Sequence, residues 1–144
     1  NNTIIATDIS PTAIETAKTS ELNNFNSSKI KFELNDALKM EWPYQIPDIV
    51  ICNPPYIERS EGLLIEAHVL TQEPHLALFV DHPDPLLFYK SVVQTFLPCK
   101  LPTLFLEMNP IYVDDMIHYC QLHNLKCKIL LDMQGKERFA IISK

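Results

Sequence analysis

Asn53-Pro54-Pro55-Tyr56 stands directly after the apolar run Ile49-Val50-Ile51-Cys52. Such a run bounded by turn residues reads as a strand, which places the tetrapeptide at a strand's carboxyl end, where open α/β sheets bind ligands. Two successive prolines fix φ twice and restrict the residue before each of them. The resulting rigid turn can hold the Asn53 side-chain oxygen and a neighbouring main-chain carbonyl as convergent acceptors, with the Tyr56 ring as a flat plate. That set suits a planar NH2 group. The lone pair of an amide or exocyclic amine is delocalised, so accepting hydrogen bonds from both hydrogens raises the electron density on nitrogen and aims it at an electrophile. No strong base is required beforehand.

Asp8 closes an earlier strand-like run. An acidic residue in that place in a nucleotide-binding α/β domain accepts hydrogen bonds from ribose hydroxyls. Asn35-Asp36 closes the run after it, where a side chain or main-chain amide can reach an adenine edge. Each of these aspartates could instead serve a helix start or a solvated turn.

The elements that must position these residues follow from periodicity. Apolar runs bounded by turn residues alternate with helical patterning, as in a parallel sheet covered by helices on both faces. The first strand spans Thr3 to Thr7. Ser10 then serves as N-cap and Pro11 as first helical residue, where proline's missing N–H costs nothing. This helix runs to about Asn23, with Ala13, Ile14, Ala17 and Leu22 inward. Ile30 to Leu34 and Asp48 to Cys52 are the next strands, separated by a loop with Trp42, Pro43 and Pro47. A helix over residues 61–72 is expected, and another starting at Asp84-Pro85 and reaching Phe96. Thr103 to Met108 is a strand, Tyr112 to His123 a helix, and Lys126 to Leu131 and Arg138 to Ser143 the last two strands. Their short connection around Gly135 requires an antiparallel pair, which ordinary dinucleotide-binding Rossmann domains lack.

The chain has 144 residues, one ordinary domain's worth, and its 47% hydrophobic and 21% charged composition excludes disordered and fibrous classes. It holds two glycines, Gly62 and Gly135, against roughly ten expected at average usage. No glycine-rich phosphate loop lies within these residues. A net charge of −6 disfavours nucleic acid as partner, since duplex binding draws on Lys and Arg. The four cysteines form no C-x-x-C pair, which suits a reducing cytoplasm and a role as small core hydrophobes. No apolar run approaches the roughly 18 residues of a spanning helix, and no leader opens the chain, so neither membrane nor secretion is expected. His68, His75 and His82 recur every seventh residue, but Pro74 and Pro83 break any helix that would align them, and no metal site is expected. The chain opens on Asn1 and enters a strand at once, as if cut inside a larger fold.

Taken in order, Ala6-x-Asp8-Ile9-Ser10 with Ala13-Ile14 and Ala17, Asn35-Asp36, Asn53-Pro54-Pro55-Tyr56-Ile57, Glu73-Pro74 with Ala77-Leu78, Phe88-Tyr89-Lys90, Leu106-Glu107, and Asp132-x-x-Gly135-x-x-Arg138 resemble the HemK-type peptide chain release factor glutamine N(5)-methyltransferases. The antiparallel tail points the same way. The resemblance implies an α/β, Rossmann-like class I fold that uses S-adenosylmethionine, with an antiparallel C-terminal strand. It implies transfer of a methyl group to the side-chain amide of the glutamine in the Gly-Gly-Gln loop of a release factor, with neither DNA nor a membrane as partner. By the same resemblance Asp8, with Ile9 beside it, binds ribose, and Asp36 with Ala37 the adenine. Asn53 and the Pro54 carbonyl hold the glutamine amide, Pro55 completes the turn and Tyr56 packs on it. Asn53 also faces the cofactor, and Glu73 belongs to a substrate loop. Three glycine positions of the family hold other residues: Met108-Asn109, Cys99-Lys100 and Pro83-Asp84-Pro85. The family's first strand and glycine-rich loop would precede Asn1. Residues 1–144 are therefore expected to form a partial catalytic domain, from the second strand to the C-terminal strand, with a gap where the central strand belongs. Two other readings stand beside this one, an amine methyltransferase acting on DNA or RNA and a catalytically inactive remnant.

Overall fold

A computed structural model describes residues 3–25, 30–39, 42, 45–59 and 74–144 of the chain. They divide into two compact units, Asn1–Glu41 and Trp42–Lys144.

In the first unit β1 (Ile4–Asp8) and β2 (Ile30–Leu34) pair in parallel, Ile4 opposite Ile30 and Asp8 opposite Leu34. Parallel neighbours need a crossover, and α1 (Pro11–Phe25) supplies it. Ser10 caps this helix as expected, its Oγ accepting the Ala13 N–H at 3.3 Å. The inward face differs from expectation at one position. Ile14 is 7% exposed and Glu21 6%, whereas Leu22 is 57% exposed. A repeat of 3.6 residues carries the inner face from Ile14 to Glu21, two turns on, and leaves Leu22 outside. The buried carboxylate is compensated, since its Oε1 accepts the N–H of Ile30, the first residue of β2, at 2.9 Å.

The second unit is built on a four-stranded sheet in the order β3-β6-β8-β7: β3 (Ile49–Cys52), β6 (Thr103–Glu107), β8 (Glu137–Ser143) and β7 (Lys126–Leu131). β3 and β6 are parallel, and β8 runs antiparallel to both β6 and β7, which is the tail expected from the sequence. Leu104, Leu106, Ala140 and Ile142 of the sheet are buried with Tyr89, Val92, Val93 and Phe96 of α3 (Leu87–Phe96) and Val113, Met116, Tyr119 and Cys120 of α4 (Val113–Leu122). These side chains form the core. A two-residue parallel pair, β4 (Ile57–Glu58) with β5 (Phe79–Val80), lies apart from the main sheet. The short helix α2 (His75–Leu78) leads into β5.

Several boundaries shift for local reasons. α3 begins at Leu87 because Asp84-Pro85-Leu86 forms a turn first, with the Leu86 N–H on Asp84 Oδ1 at 3.0 Å and the Leu87 N–H on the Asp84 carbonyl at 3.2 Å. Tyr112 belongs to a 3-10 turn, Pro110–Tyr112, because Asn109 Oδ1 captures the Ile111 N–H at 3.1 Å, and α4 starts one residue later. β6 ends at Glu107, before Met108. Cys120 is buried, but Cys99 is exposed and not part of the core. The helix expected over residues 61–72 lies outside the described residues.

Candidate functional site

The N-P-P-Y turn leaves the carboxyl end of β3, where Cys52 pairs with Leu106 of the parallel strand β6. Asn53 is exposed, Pro54 is buried, and Pro55 and Tyr56 are half-buried. Tyr56 Oη donates to Glu107 Oε1 at 2.8 Å, and Asn109 Nδ2 donates to the Tyr56 carbonyl at 3.2 Å. The chain then enters β4, where Glu58 accepts a hydrogen bond from Tyr112 Oη. Arg59 meets Asp81 through two bonds, at 3.1 and 3.0 Å. The segment from Tyr56 to Arg59 is thus fastened by partners from β6, the Asn109 loop, the 3-10 turn and the end of β5.

The electrostatics favour neutral groups here. Burial raises the Tyr56 phenol above its ordinary value, the hydrogen bond and charge of Glu107 add to this, and Arg138 works against it. Burial also pushes the Cys52 thiol up to about 11, so it is no thiolate nucleophile at neutral pH. Tyr89 is 1% exposed; its hydroxyl lies beside the Asn109 main chain without a hydrogen bond of good geometry, and its pKa is raised by burial.

Asp8 and Asp36 come together within the first unit. They stand at the carboxyl ends of adjacent parallel strands, and the Asn35 N–H donates to the Asp8 carbonyl at 3.0 Å. Each carboxylate also organises its own turn. Asp8 Oδ1 accepts the Ser10 N–H at 2.8 Å, and Asp36 Oδ1 accepts the Leu38 N–H at 2.9 Å with Lys39 Nζ 3.6 Å from Oδ2. The turn role and a ligand role are compatible, because a carboxylate offers about four lone-pair sites. Ile9 is exposed and Ala37 half-buried. Glu73 lies outside the described residues.

Sequence reasoning left Asn109 and Tyr112 unassigned and gave Glu107 no partner. The signal for Glu107 was its place at the end of a strand, but its partner is visible only once β6 is known to lie beside β3. Asp132 and Arg138 turn out to organise the β7–β8 connection. Asp132 Oδ1 accepts the N–H groups of Gln134 and Lys136, both at 2.9 Å, and Arg138 Nε lies 3.7 Å from Oδ2.

No family model matches the chain. Among curated proteins it is 33% identical over 141 residues to the release factor glutamine methyltransferase of Flavobacterium psychrophilum, covering 96% of this chain and 49% of that protein. It is 37% identical over 94 residues to the protein of that name from Bacteroides thetaiotaomicron, covering 63% of this chain and 34% of the other. The chain thus spans a third to a half of the length of these relatives. Among solved structures, a human methyltransferase 10 domain containing protein superposes with TM-score 0.62 at 15% identity, over 99% of this chain and 60% of the other. An rRNA methylase from Streptococcus thermophilus superposes with TM-score 0.55 at 10% identity, over 97% of this chain and 71% of the other. The fold is the Rossmann-like fold of class I methyltransferases. By sequence the chain is a relative of the release factor glutamine methyltransferases.

Among the described residues there is no cluster of metal-ligating side chains, and no helix is long and apolar enough to cross a membrane.

Proposed function

We propose that the protein transfers a methyl group from S-adenosylmethionine to the side-chain amide of a release factor glutamine, the one in the Gly-Gly-Gln loop, in the cytoplasm. The observation that carries this reading is the N-P-P-Y turn at the carboxyl end of β3, in a chain aligned over 96% of its length with a protein of that name. Residues 1–144 are read as part of the catalytic domain. S-adenosylmethionine supplies an electrophilic methyl group on a sulfonium. The donor set fits it, since the Asp8 and Asp36 carboxylates at neighbouring strand ends are acceptors of the kind ribose hydroxyls and an adenine amine require. Asp8 with Ile9 would hold the ribose, Asp36 with Ala37 the adenine, and Asn53 would border the cofactor.

The Asn53 side-chain oxygen and the Pro54 carbonyl accept the two hydrogens of the acceptor amide. Pro55 keeps that turn rigid, the Tyr56 ring packs on the amide plane, and Glu73 contributes from a substrate loop. Held so, the amide nitrogen would be oriented to take the methyl group as the sulfonium leaves as a neutral thioether, and its surplus proton would pass to solvent. Nucleic acid as acceptor fits less well, given the net charge of −6.

The test places the N-terminal portion of the Flavobacterium psychrophilum relative ahead of residue 1, so that a full-length enzyme is assayed. Asn53→Ala should abolish transfer to a release factor and leave cofactor affinity within a few fold. Transfer at the unsubstituted rate would overturn the assignment, and transfer to an oligonucleotide instead would favour the nucleic acid reading.

A further inference from the structure

We propose that Glu107 is a positioning residue, whose carboxylate sets the orientation of the Tyr56 ring that the N-P-P-Y turn presents to its acceptor. The proposal deepens the reading of that turn as an amide cradle and rests on it. Tyr56 is held at both ends, with the Arg138 guanidinium of β8 also facing its hydroxyl. Its hydroxyl donates to Glu107 Oε1 at 2.8 Å, and its carbonyl accepts from Asn109 Nδ2 at 3.2 Å. Both partners follow from one strand, because Glu107 ends β6 and Asn109 lies two residues beyond. β6 is also the strand that pairs with β3, Cys52 opposite Leu106, immediately before the turn. Strand pairing therefore fixes the start of the turn and the anchor of its aromatic plate together.

The ring needs such an anchor. A half-buried tyrosine has staggered alternatives at χ1 separated by little energy, and an O–H donor to a carboxylate makes a strong bond that selects one of them. A plate that must lie flat on an amide loses its value if it samples the others. Asn109 cannot substitute for Glu107, since it holds the main chain and leaves the ring free to turn.

The experiment uses the same N-terminally extended version with labelled tyrosine, Tyr56→Phe assigning the Tyr56 signals. NMR reads the Hα–Hβ couplings that report χ1 and the pH titration of the Tyr56 ring carbon, and calorimetry reads binding of a Gly-Gly-Gln peptide. In Glu107→Ala the couplings should average and the peptide should bind about tenfold more weakly. Tyr56→Phe should cost the same, and the double variant no more. Glu107→Gln, which keeps an acceptor but removes the charge, should retain one rotamer while the phenol titrates lower than in the unsubstituted chain. A thermal melt of each variant guards against unfolding. Unchanged couplings in Glu107→Ala, or an unmoved titration in folded Glu107→Gln, would overturn the proposal. If the unsubstituted chain binds no Gly-Gly-Gln peptide, the release factor reading fails, while the couplings and the titration still decide the role of Glu107.

Discussion

The ribose role proposed for Asp8 can be separated by experiment from the turn role that its geometry shows. Its Oδ1 takes the Ser10 N–H at 2.8 Å and so shapes the entry to α1, while its place at the end of β1 suits a ribose. In the full-length version, Asp8→Ala should weaken cofactor binding by roughly 1.5–3 kcal/mol, the worth of a hydrogen bond to a charged group, measured calorimetrically. Unchanged affinity would reduce Asp8 to a turn residue. The sequence made this position and the N-P-P-Y turn legible because both signals are local, a residue type at the end of an apolar run. It left the environment of Tyr56 illegible, because Glu107 is 51 positions away and meets the phenol only through strand order. Glu73 was reached through resemblance alone and lies outside the described residues.

At the level of elements, long periodic segments were legible and short ones were not. β2 and β7 fall where periodicity places them, whereas the two-residue strands β4 and β5 carry no period to detect and exist only because they pair with each other. The inner face of α1 departs from expectation at its last turn, where Glu21 rather than the apolar Leu22 lies inside. Hydrophobicity suggested one residue and helical geometry selected its neighbour. Glu21→Ala should therefore do more than shorten an exposed side chain. It leaves the part-buried Ile30 N–H without its 2.9 Å acceptor at the junction of α1 and β2, at a cost toward the lower end of the ~1–3 kcal/mol of an unsatisfied donor. Chemical denaturation should show that loss, with Glu21→Gln losing less because its amide oxygen can still accept; equal stability of Glu21→Ala and the unsubstituted chain would mean that water replaces the carboxylate at no cost.

For the whole molecule, the decisive feature is which strands have partners. Among the described residues β1 pairs only with β2 and β3 only with β6. Apolar side chains on these edge strands are open to solvent: Ile4 is 50% exposed, Ile49 56% and Ile51 82%. Open apolar edges favour association between copies. Glycine is scarce as well, so the chain has few places where its backbone can approach a ligand closely. Gly135 is committed to the β7–β8 connection at φ 81°, and Gly62 lies outside the described residues. The cofactor contacts proposed here are then chiefly side-chain contacts from Asp8 and Asp36, of which Asp8 is exposed. Exposed side chains must be ordered on binding, which consumes part of each contact's worth. Residues 1–144 alone should accordingly bind S-adenosylmethionine more weakly than micromolar and sediment as a mixture of associated species. Calorimetry and sedimentation velocity on the same preparation measure both. A micromolar dissociation constant on a monomer with a sharp cooperative melt would overturn the expectation, because the side chains at these strand ends would then suffice to hold the nucleotide without a glycine-bearing loop.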